Sequence, residues 1–137
     1  MTTLLVDAAN VVGSRPDGWW RDRAGATARL LGRLAGLPGR RLPGPDGGPL
    51  ECTAVVAVVE GRARDVADVD GVTVVRAPGS GDDIIVTEAQ RLATDGAALV
   101  VVTADRGLRA RLPGAAGLAG PGWLLEQLPP VAPDDRS

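Results

Sequence analysis

Acidic side chains punctuate the ends of apolar runs in this chain. Leu4-Leu5-Val6 is followed by Asp7 and, three residues on, by Asn10. Gly79-Ser80-Gly81 leads into Asp82-Asp83-Ile84-Ile85-Val86, and Leu99 to Val102 leads into Thr103-Ala104-Asp105. Packing gives no reason for carboxylates at these places, whereas a shared ligand does. Oxygen donors of this kind suit hard divalent cations. Asp7, Asp82, Asp83 and Asp105 are therefore expected to hold Mg or Mn, with Asn10 as a polar catalytic partner. Thr103 and Glu60 are expected behind the ligands, orienting them. Each residue also has a plainer use. Asp7, Asp82 and Asp105 could cap the segments that follow, Asp83 could answer a helix dipole, and Asn10 could close a turn. The recurrence of the pattern favours a common site.

The absences narrow the chemistry further. The chain has no histidine, which removes histidine-based nucleophile schemes and histidine-ligated zinc. It has no lysine, which removes a Walker A phosphate loop and Schiff-base catalysis. The single cysteine, Cys52, cannot form an internal disulfide, in keeping with a reducing, cytoplasmic setting. No apolar run reaches membrane-spanning length, and no signal peptide is expected. The net charge of −2 conceals a split: residues 15 to 41 carry seven Arg against Asp17 and Asp22, or +5, and the remainder sums to −7. A basic face beside an acidic cluster suits a polyanion held at a metal site. Arg62, Arg106 and Arg21 are candidate phosphate contacts. Trp19 or its neighbour Trp20 could stack on a base.

The elements that must position these residues follow from the hydrophobic pattern. Unbroken apolar runs at 3–7, 53–59, 72–75 and 99–103 predict strands covered on both faces. A brief edge strand is expected at 116–119. Helices are expected at 19–35, with Trp20, Ala24, Ala28, Leu31 and Leu34 inward, and at 82–94, 105–112 and 121–128, with one or two helical turns within 62–69. Residues 8–18 and 37–49 read as loops, rich in Gly and Pro. Strands alternating with helices predict an α/β three-layer sandwich around a central parallel sheet of four or five strands. The sequence reads as one domain over 1–128, with a disordered tail at 129–137. In such sheets the acids after strand carboxyl ends converge on one rim.

Val6-Asp7-Ala8-Ala9-Asn10, Gly81-Asp82-Asp83-Ile84-Ile85-Val86 and Val102-Thr103-Ala104-Asp105-Arg106 resemble, in order and spacing, the motifs of PIN-like nucleases, the NYN branch above all. The resemblance covers residues 3 to about 112. It implies a parallel sheet, Mg or Mn held by Asp7, Asp82, Asp83 and Asp105, Asn10 in the polar place of the first motif, and hydrolysis of RNA phosphodiesters. Arg109 stands where many members carry a further acid. The expected function is a metal-dependent ribonuclease acting on single-stranded RNA, with a homo-oligomer permitted. Two alternatives stay open: a non-catalytic RNA-binding or interaction module, and a metal-dependent hydrolase of nucleotides.

Overall fold

The computed structural model describes residues 1–15, 18–96 and 98–129. Six strands and five α-helices follow one another along it: β1 (Thr2–Asp7), α1 (Ala8–Gly13), α2 (Arg23–Leu34), β2 (Arg41–Pro43), β3 (Pro49–Val59), β4 (Val72–Arg76), α3 (Gly81–Thr94), β5 (Ala98–Val102), α4 (Arg106–Ala110), β6 (Gly117–Ala119) and α5 (Pro121–Gln127). Short 3₁₀ turns sit at Trp19–Arg21 and Gly61–Ala63.

The strands form one sheet in the order β4-β3-β1-β5-β6, all parallel, and β2 adds antiparallel to the first residues of β3. The sheet is therefore mixed and six-stranded, where an all-parallel sheet of four or five was expected. The sixth strand comes from the segment read as loop. Pro45-Asp46-Gly47 makes a tight reversal, with Gly47 at φ +91° and the Asp46 carboxylate accepting from Gly48 N at 3.1 Å. That reversal lets Arg41–Pro43 pair with Pro49–Glu51. Helices cover both faces, in agreement with the layered expectation.

Alternation along the strands divides the core. Leu4, Val6, Ala57, Val59, Val100 and Val102 point to the face of α1, α2 and α5, while Leu5, Val56, Val58, Leu99 and Val101 meet α3 and α4. With no Phe or Tyr, the packing rests on Leu, Val, Ile and Ala.

Two helices depart from the sequence reading. Residues 8–13 form α1 instead of loop, because Val11 and Val12 are buried and the Asp7 carboxylate caps the first turn. The helix expected from Trp19 starts only at Arg23, where Asp22 caps by accepting from Gly25 N at 2.9 Å. Its inward face is Thr27, Leu30, Leu31 and Leu34, while Ala28 and Trp20 are exposed. The helical turns expected in 62–69 reduce to the Gly61–Ala63 turn. The rest of that loop is tied down by Arg76, which donates to the carbonyls of Arg64 and Val66 and pairs with Asp68 at 2.8 Å. The tail, from Pro130 on, lies outside the described residues, and no helix among those described is long and apolar enough to cross a membrane.

Candidate active site

From β1 the chain moves outward through β3 to β4, then returns through α3 to β5 on the other side of β1. Strand order therefore reverses at β1, the place where sheets of this kind bind their ligands. Asp7 is the last residue of β1, only 5% exposed.

Register decides what Asp7 meets. Val6 pairs with Val102, so Thr103 comes up beside Asp7, and the Thr103 hydroxyl donates to Asp7 Oδ2 at 3.0 Å. The same hydroxyl oxygen accepts from Asp105 N at 3.2 Å. Asp7 Oδ1 accepts from Asn10 N at 3.4 Å, and Asn10 Oδ1 accepts from Ala104 N at 2.8 Å. Asp7, Asn10, Thr103 and the start of the Asp105 loop are thus one hydrogen-bonded unit joining β1, α1 and β5. The bond from Ala104 to Asn10 crosses 94 residues and had no signal in the sequence.

Across the rim, Asp7 pairs with Val58, which places Glu60 just beyond the end of β3. The Glu60 carboxylate accepts from Gly81 N at 2.6 Å, at the first turn of α3. This seats Asp82 within electrostatic reach of Asp7. The cap of α3 is Ser80, whose hydroxyl accepts from Asp82 N at 3.3 Å, so Asp82 lies within the first turn and does not cap it. Burial pushes the pKa of Asp7 up from 3.8 to about 6; the bonds from Thr103 and Asn10 pull it down, and the charges of Glu60 and Asp82 push it up.

The remaining candidates stand further out. Asp105 caps α4, accepting from Leu108 N at 2.9 Å. Asp83 faces solvent, 79% exposed at its side chain, and pairs with Arg111 at 2.6 Å, a partner the sequence did not announce. Arg62 and Arg106 are exposed, and Arg21 lies with its guanidinium 5.9 Å from the centre of the Trp20 ring. The side chain of Trp19 lies outside the described residues. Arg109, in the position of the additional acid, turns inward and donates from Nε to the Thr103 carbonyl at 2.8 Å.

Among the described residues, no three acidic or cysteine side chains stand close enough together to hold a metal ion as they are. Carboxylate oxygens are the donors a hard cation takes, and the charges of Glu60 and Asp82 reach Asp7, adding to the rise that burial gives its pKa. A cleft of about 320 Å³ adjoins that rim, lined by Ala8, Val12, Arg23, Val59, Glu60 and Gly61 among others.

No family model matches the chain, and no curated protein matches its sequence. Among solved structures, the chain is similar to Rae1 (YacP) from Bacillus subtilis. The TM-score is 0.63 at 21% identity, over 91% of this chain and 72% of that one. The likeness establishes the shared fold.

Proposed function

We propose that this protein is a divalent-metal-dependent ribonuclease acting on single-stranded RNA in the cytoplasm. The observation that supports the reading is the carboxylate of Asp7, buried at the switch point of the sheet and held by Thr103 and Asn10, whose pKa burial raises to about 6 with smaller additions from the charges of Glu60 and Asp82. A structural cap has no need of so buried a charge; a cation would stabilise it.

Asp7, Asp82 and Asp105 would hold Mg or Mn, and Asp83 could join by exchanging Arg111 for the ion. When bound, the cation supplies a lowered pKa for water and neutralises phosphate charge. The chain's own residues do the positioning. Thr103 and Asn10 fix the Asp7 carboxylate on both oxygens. Glu60 holds the start of α3 so that Asp82 faces the same rim. Arg106 and Arg62 meet the phosphates that flank the scissile bond. The distant fold likeness and the three motifs support this reading.

Incubation with a mixed single-stranded RNA pool and manganese is expected to give cleavage that EDTA stops and Asp7→Asn abolishes. A second reading, an RNA-binding module without catalysis, is favoured by Arg109 and by the unassembled state of the acids. Intact RNA with clear binding would select it. Nucleoside triphosphate turnover without RNA cleavage would select a nucleotide hydrolase instead.

A further inference from the structure

A second groove of about 230 Å³ runs between α1, α2 and α5. Val11, Val12, Leu30 and Leu125 form its apolar floor, and Arg29 and Arg33 stand on its wall. The two arginines are one helical turn apart on α2 and share a face. Neither has a carboxylate partner among the described residues. Arg33 places its Nε on the Pro129 carbonyl at 3.3 Å, which anchors its stem. An arginine so anchored loses less freedom when its terminal nitrogens take a ligand.

Three features define the occupant. The floor calls for a flat apolar surface. The wall calls for an anion, and guanidinium groups match phosphate oxygens two at a time. The volume lies below the roughly 300–1,000 Å³ of pockets that enclose drug-sized ligands, so it suits one base rather than a whole effector. A base joined to a phosphate meets all three.

The groove neighbours the cleft beside Glu60. Val12 lines both this groove and the neighbouring cleft, and that cleft is lined in turn by Glu60. α1 connects the two ends: Asp7 caps its start, and Val11 and Val12 lie on its second turn. Six residues of helix span about 9 Å. A nucleic-acid strand advancing at least ~3.4 Å per residue covers that in about one to three nucleotides.

We infer that the α1–α2–α5 groove is a nucleotide subsite that seats single-stranded RNA a few residues away from the bond held at the acid rim. The base lies on Val12 and Leu30, and its phosphate is gripped by Arg29 and Arg33. The inference rests on the ribonuclease reading for the location of the scissile bond, but the subsite itself requires only RNA binding. It gives a use to Arg29 and Arg33, two of the seven arginines in residues 15–41. An acidic peptide is the competing occupant, and the base contact tells the two apart.

The test is binding of a fluorescein-labelled single-stranded RNA 12-mer in EDTA, read by anisotropy at several salt concentrations. The double variant Arg29→Glu/Arg33→Glu is expected to weaken binding at least tenfold and to reduce the salt slope by about two. Arg29→Gln/Arg33→Gln should act in the same direction while retaining the wild-type melting temperature. Arg91→Gln, on the far helix α3, should change neither quantity. A 4-thiouridine crosslink should map to the segment holding Val12 or Leu30. Unchanged affinity and slope in both double variants overturn the proposal, as do a crosslink elsewhere and failure of the wild-type chain to bind the RNA. Absent cleavage with Arg29- and Arg33-dependent binding removes the nuclease reading and leaves the subsite standing.

Discussion

Asp7 shows how much one buried carboxylate costs this protein. Its oxygens already have donors in Thr103 and Asn10, yet its pKa still rises to about 6 because burial and two neighbouring acids outweigh those bonds. A folded-state pKa above the unfolded 3.8 means that the native chain binds the extra proton between those values. Stability is then greatest below pH 4 as far as this group is concerned, and falls as pH rises through 6. A shift of about two units corresponds to roughly 3 kcal/mol. Denaturant melts in EDTA should show wild type losing stability between pH 4 and pH 7, against a flatter curve for Asp7→Asn. Asp7→Asn should be the more stable of the two at pH 7. An Asp7→Asn protein that is less stable at pH 7 would show that the ionised carboxylate is structurally favourable.

Among the elements, α3 is aimed by its start. Its inward residues Ile85, Val86 and Ala89 bury it against β5 and β3, but an amphipathic stripe tolerates sliding. Glu60 removes that freedom by taking the Gly81 N–H at 2.6 Å. A Cβ at position 81 would stand 3.3 Å from the Glu60 carboxylate, so any larger residue there would press on that carboxylate. Glu60→Ala should cost about 1–3 kcal/mol, the usual penalty for losing a charged hydrogen bond. Glu60→Gln keeps an acceptor and removes the charge. It should lower the Asp7 pKa, measured by carbon-detected NMR titration, while leaving α3 in place. An unmoved Asp7 pKa in Glu60→Gln would mean that the two carboxylates do not feel each other.

For the whole molecule, Asp7, Glu60 and Asp82 come from distant parts of the chain and feel one another's charge at the rim where the strand order reverses at β1. Their mutual repulsion predicts that Mg or Mn raises the melting temperature of the wild type by several degrees, since 1 kcal/mol shifts a domain of this size by roughly 3–6 °C. Asp7→Asn should blunt that rise. An equal rise in both proteins would place the bound ion elsewhere.

The sequence alone determined the five parallel strands and most of the helices between them, and it marked the acids at the strand ends as candidates. Each of those is written in local periodicity or in a short motif. α1 was not legible, since a six-residue helix beside Gly13 and Ser14 is too short to announce itself and exists by burying Val11 and Val12. β2 was not legible either, since three residues gain strand character only by pairing with β3. The start of α2 was set by the Asp22 cap, against a pattern that ran on through Trp20. At the site, Asn10 holding Ala104, Arg111 taking Asp83 and Arg109 holding the Thr103 carbonyl were decided by tertiary structure alone. Such contacts depend on which rim each residue reaches and which way it turns there, and spacing along a chain carries no record of either.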